Sequence, residues 1–122
     1  MPPMGKRSRR RGAETLKAPG SEYRSPDGDV LALRGALTPA ARQQYATAMA
    51  GSPLSREDAW QRGTELLFEL LAVRWEIAGA EPIVKQKELL GRYRFAGQDE
   101  RRWIRDVMRE HLAEHFPDVE AP

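Results

Sequence analysis

Apolar side chains recur at helical spacing along most of this chain. The densest stretch, residues 54–79, reads LSREDAWQRGTELLFELLAVRWEIAG. Trp60, Leu67, Leu70, Leu71 and Ile77 follow a 3.6-residue period, with Phe68, Val73 and Trp75 widening the stripe. Asp58, Arg62, Glu65, Glu69 and Glu76 form a narrower polar strip. A stripe this wide places neighbours on both sides of the helix and makes it the centre of the core. Ser55 stands at the N-cap with Asp58 three residues on, Glu57 and Asp58 occupy the first turn, and Gly79 offers a left-handed C-cap.

Three further helices follow from the same reasoning. Thr38 and Pro39 form an N-cap followed by an N1 proline, and Gly51 closes that helix, with Ala41, Tyr45 and Ala48 or Met49 on its apolar side. Pro82 opens another, with Leu89, Leu90, Tyr93 and Ala96 facing inward. Gly91 inside it marks a close helix contact, and Gly97 ends it. The last carries a regular stripe of Trp103, Ile104, Val107, Met108, His111, Leu112, His115 and Phe116 before Pro117. The predicted helices therefore span about 39–50, 56–78, 83–96 and 99–115. Residues 29–37 fit either a short strand or a helical turn. With no second strand candidate, a sheet is not expected, because an isolated strand has nothing to pair with. The expected fold is an all-α domain of four helices over residues 29–122.

Composition adds a tail. Residues 1–28 are rich in Pro, Gly, Ser and Arg and hold few large apolar groups, so they are expected to be disordered. Deleting them is expected to leave the fold intact. They carry seven Lys/Arg against three Asp/Glu, whereas the remainder carries thirteen against fifteen. The basic character of the chain thus resides in this tail. Sixteen arginines against four lysines, with no asparagine, suggest a GC-rich bacterial coding sequence, which by itself supplies some of the arginine. The absence of cysteine excludes disulfides and thiolate chemistry. The longest apolar run, residues 66–73, is interrupted by Glu69 and is far too short to cross a membrane. A cytoplasmic protein without membrane contact is expected.

Candidate chemistry is sparse. Residues 111–115, HLAEH, match the H-x-x-E-H pattern of inverted zinc metallopeptidases, in which two histidines on one helical face chelate the metal. The match covers these five residues, and no further ligand follows in the seven residues after His115. Glu65 and Glu69 are spaced like the carboxylates of di-iron bundles, but no Glu-x-x-His accompanies them. The serines lie in the tail or at the helix cap, distant in sequence from both histidines. No phosphate-binding glycine motif occurs. Neither a catalytic residue nor a metal or cofactor is expected.

Binding surfaces are better represented. Lys6, Arg7, Arg9, Arg10 and Arg11 place five cations in six residues, enough to contact nucleic-acid phosphates weakly and without sequence preference. Residues 85–109 hold eight Lys/Arg and four Asp/Glu. Two helices joined by a glycine-containing turn over 83–115 give the outline of a helix-turn-helix, with Arg101, Arg105 and Arg109 in a row suited to a recognition face. Trp60 and Trp103 are candidate interface anchors, since tryptophan and arginine dominate binding hot spots. The leading expectation is a non-enzymatic binding or adaptor protein whose partner is another protein. The alternative is a nucleic-acid-associated regulator using the tail and segment 83–115, and a small metal-dependent enzyme ranks third.

Overall fold

A computed structural model describes residues 20–51 and 56–122. It corrects the all-α expectation: four helices share the core with a three-stranded antiparallel sheet in the order β1-β2-β3. In chain order these are β1 (Ser21–Arg24), β2 (Val30–Leu33), α1 (Pro39–Ala50), α2 (Arg56–Leu71), β3 (Ala72–Glu76), α3 (Gln86–Arg94) and α4 (Gln98–His115).

The hairpin β1–β2 lies partly in what sequence composition assigned to a disordered tail. Its turn is built by Ser25, Pro26, Asp27, Gly28 and Asp29. Ser25 Oγ accepts from the N–H groups of Asp27 (3.2 Å) and Asp29 (3.0 Å), and Gly28 takes the left-handed conformation with φ 91°. Pro, Asp and Gly each favour a turn at these positions for a distinct steric or hydrogen-bonding reason. The folded unit therefore includes β1 and does not begin at residue 29. Residues 29–37, left open between strand and helix, contain β2, all four of whose residues are buried.

The second correction concerns the central helix, predicted over 56–78. It stops at Leu71, and the chain passes straight into β3. Residues 72–76 satisfy both periodicities, because Trp75 is four residues from Leu71 and also alternates with Arg74 and Glu76. The decision is tertiary. A buried β2 needs hydrogen-bond partners on both edges, since unpaired buried backbone groups are costly. β1 supplies one edge, with Tyr23 opposite Leu31, and β3 the other, with Trp75 opposite Leu31 and Ala32 opposite Arg74. The N–H of Arg34 then caps the Leu71 carbonyl at 2.9 Å. Gly79, expected as a helix cap, instead turns the chain after β3 with φ 83°, and Ile83 pairs with Trp75 as an isolated bridge. This bridge also delays α3, which begins at Gln86 and ends at Arg94 rather than spanning 83–96.

The remaining helical expectations hold closely. α1 runs from Pro39 to Ala50, with Thr38 Oγ1 accepting from the Ala41 N–H. α4 starts one residue earlier than expected and buries Ile104, Val107, Met108, His111 and Leu112. Ser55, the expected cap of α2, lies outside the described residues. Gly91 meets nothing within 4 Å of a built Cβ, so it marks no close contact. A close approach occurs instead at Gly63, where a Cβ would overlap the Met49 side chain of α1 and require that side chain to shift.

The two faces of the sheet differ. Tyr23, Leu31 and Trp75 form one row on the inner face. There they join Leu67, Phe68 and Leu71 of α2, Leu89 and Tyr93 of α3, and the α4 stripe in one hydrophobic cluster. Phe68 stacks on Tyr93 (centroids 4.8 Å apart) and meets Trp75 edge-on (5.8 Å). Glu22, Ala32 and Arg74 form a row on the outer face, where Arg74 pairs with both Glu22 and Glu76. Val73, placed in the helical stripe by periodicity, is 41% exposed.

Candidate functional site

The turn between α3 and α4 presents the most exposed large apolar side chain among the described residues. Phe95 follows the last residue of α3 and is 87% exposed. Its neighbour Ala96 turns inward and is buried, and Gly97 starts α4, so the tight turn leaves the phenyl ring no inward direction. Arg94 flanks it and pairs with Glu65 of α2 at 3.0 Å. Arg101 crosses the turn, donating from Nη2 to the Arg94 carbonyl at 2.6 Å, with its guanidinium over the Tyr93 ring. One turn further along α4, Arg105 lies over the ring of Trp60 at 5.1 Å. Ion pairing and stacking thus hold in place the arginines beside Phe95, and half-buried Trp60 lies under the arginine one turn further along α4.

This geometry changes the reading of the predicted recognition row. Arg101 and Arg105 are half-buried and occupied by Tyr93 and Trp60, and Arg109 Nε donates to the Pro122 carbonyl at 2.9 Å. Two of the three arginines of the row are thus engaged within the domain, whereas Arg109 is exposed. Among the tryptophans, Trp75 is 1% exposed, whereas Trp60 and Trp103 are half-buried. Trp103 lies on a different part of α4, beside the β1–β2 turn. Lys6, Arg7, Arg9, Arg10 and Arg11 lie outside the described residues.

The structure brings together a cluster that sequence distance conceals. His111 is fully buried. Its Nε2 lies 2.8 Å from the Arg34 carbonyl and its Nδ1 2.9 Å from the Tyr23 hydroxyl. A carbonyl can only accept, so Nε2 carries the proton and Nδ1 accepts from Tyr23. Burial pushes the Tyr23 hydroxyl up in pKa and so keeps it a donor. Burial also pushes His111 below the ordinary histidine value, the Arg34 carbonyl opposing this and the adjacent His115 adding to it. The rings of His111 and His115 stand 4.4 Å apart.

Two chemistries can be judged from this arrangement. Zinc at HLAEH would need a lone pair on His111, and both ring nitrogens are already committed to protein partners. Ser21 Oγ lies 3.0 Å from His115 Nε2, and Glu114 Oε1 lies 3.7 Å from that same nitrogen. In a hydrolytic triad the carboxylate must hold the opposite ring nitrogen to orient the base. The Ser21, His115 and Glu114 set lacks that geometry and serves to fasten β1 to α4. Sequence reasoning missed the Ser21 contact because 94 residues separate the partners. Glu65, considered as a metal carboxylate, is engaged by Arg94.

Among the described residues no group of three or more His, Cys, Asp or Glu converges as a metal site, and no helix is long and apolar enough to cross a membrane. No protein-family model matches the chain, no curated protein matches it, and no solved structure matches its fold.

Proposed function

We propose that this protein is a non-enzymatic binding module of the cytoplasm whose partner is another protein, docking on the surface centred on Phe95. The observation that carries the reading is the 87% exposure of that phenylalanine beside an arginine whose side chain is 60% exposed. Burying a phenyl ring at an interface is worth about 1.5–3 kcal/mol, and the turn that presents it is already ordered, so little additional entropy is lost. Arg101 and Arg105, pinned over aromatic rings, offer remaining guanidinium N–H donors at the edge of the same surface.

The test is affinity capture with the full chain, with and without nuclease, beside a Phe95→Glu variant. A stoichiometric protein should copurify irrespective of nuclease and be lost from the variant, whose unfolding midpoint should match that of the native protein. Capture that survives Phe95→Glu would remove this surface from consideration, and capture abolished by nuclease would favour the nucleic-acid alternative.

A further inference from the structure

On another part of the molecule a groove of about 310 Å³ opens between the β1–β2 turn and the start of α4. Trp75 and Trp103 line it. Its border is acidic: Asp27 and Asp29 come from the turn, Asp99, Glu100 and Asp106 from α4, against a single cation, Arg102. Glu100 is paired with Arg92, and Asp29 accepts from the Ala78 N–H. Asp27, Asp99 and Asp106 are exposed and form no ion pair among the described residues. The carboxylates do not converge as a metal site, so their spacing suits several separate cations rather than one ion. A second observation points the same way. Trp75 is 1% exposed, and its indole N–H has no acceptor. The N–H is itself shielded from solvent, so a peptide carbonyl could satisfy it only if the Trp75 side chain shifts toward the groove it lines.

The occupant is indicated by the chain itself. Residues 1–19 hold six Lys/Arg and one Glu, whereas residues 20–122 hold fourteen Lys/Arg and seventeen Asp/Glu. Five of those cations fall within residues 6–11. Nine residues separate Arg11 from Ser21, where β1 begins. Extended, they reach about 30 Å, enough to run back from Ser21 past the roughly 13 Å length of β1 to the turn that forms one wall of the groove. A tether of this length gives the segment an effective concentration on the order of millimolar, well above that of a competing free peptide. We propose that this acidic, tryptophan-lined groove is the docking site for the chain's own basic segment, residues 6–11, with guanidinium groups seated against Asp27, Asp99 and Asp106 and over Trp103. Docking withholds these cations from polyanions, so the segment's availability is set by ionic strength and by competitors for the groove.

The absence of cysteine makes a direct test simple. A single Gly5→Cys substitution in the full chain carries a nitroxide spin label, and the three indole N–H resonances are followed by NMR, with Trp103→Phe assigning one of them. At low salt the Trp103 signal should lose most of its intensity. It should recover at about 0.5 M salt, where screening confines charge interactions to a few ångströms. It should also recover in the Asp27→Asn/Asp99→Asn/Asp106→Asn variant, whose unfolding midpoint should drop only slightly, through loss of the Asp99 charge from the first turn of α4. An unaffected Trp103 signal at low salt, or broadening insensitive to salt, would overturn the proposal. Broadening that appears only when spin-labelled chains are mixed with isotope-labelled ones would overturn it too, by assigning the groove to a second copy. The salt arm needs no groove variant, so misfolding of the triple variant would still leave a decisive result.

Discussion

At the scale of the residue, His111 ties together parts of the chain that sequence keeps apart. Periodicity placed it correctly on the inner stripe of α4. It could not supply Tyr23, 88 residues earlier, or the Arg34 carbonyl, 77 residues earlier. Those partners fix a neutral ring that joins β1, the end of β2 and α4. The consequence for pH can be signed. Burial lowers the folded-state pKa of His111 below its ordinary 6.5. The unfolded chain therefore binds this proton more readily than the folded protein, and stability falls with decreasing pH wherever the unfolded state holds more protons. The contribution of neutral His111 is full above 6.5 and is lost as pH drops through that value toward the lower folded one. Urea unfolding midpoints of the native protein should fall as pH decreases from about 7.5 to about 5.5, the range in which histidine titrates. His111→Gln should be less stable at the upper end, because buried partners lose a hydrogen bond, and should show a flatter profile. An equally steep profile in His111→Gln would assign the effect to another group.

At the scale of the element, the helices were legible and the strands were not, and the reasons are physical. α1 and α4 carry signals that depend on local sequence alone: Thr38 before Pro39, and an uninterrupted stripe from Ile104 to Leu112. β3 has no local signal that outweighs the helix before it, since Leu71 and Trp75 fit a helical face as well as Trp75 and Arg74 fit a strand. Only the edge of β2 that β1 leaves unpaired decides between them, and that is long-range information. The hairpin was more accessible: Pro26, Asp27 and Gly28 between two short segments form a turn signal with a mechanism, and reading residues 1–28 by composition alone passed over it. The candidate surface divides in the same way, with Trp60 legible as an anchor and Phe95 passed over because periodicity does not report what a helix–helix turn exposes. This alters the expected effect of truncation. Removing residues 1–28 strips β1 from β2 and takes away Tyr23 and Ser21, leaving His111 Nδ1 without its donor. Each buried group left unpaired costs about 1–3 kcal/mol, so the truncated chain should melt well below the native protein and lose protection from hydrogen exchange along β2. A native-like midpoint would mean that the hairpin contributes little to the fold.

At the scale of the whole molecule, charge and aromatic packing decide what α4 can do. The described segments belong to a portion of chain, residues 20–122, with three more acidic than basic side chains, so the net charge of that portion does not attract a polyanion. Its arginines serve instead as part of the packing: Arg92 over Trp75, Arg101 over Tyr93 and Arg105 over Trp60. Such contacts are worth about 0.5–2 kcal/mol, depending on how far they are shielded from water. Arg105 separates the two roles most cleanly, because it joins α4 to α2 through the Trp60 ring. Arg105→Ala should lower stability by an amount within that range, measured by urea unfolding, and Arg105→Lys should restore part of it, since a lysine retains the charge but not the planar stack. Neither substitution should change binding of the full chain to DNA at low salt, because that binding would come from residues 6–11 once excess DNA displaces them from the acidic groove, and would decline steeply as salt is added. If Arg105→Ala instead erased a preference for one DNA sequence while leaving the unfolding midpoint untouched, α4 would be acting as a recognition helix and the packing role of its arginines would be secondary.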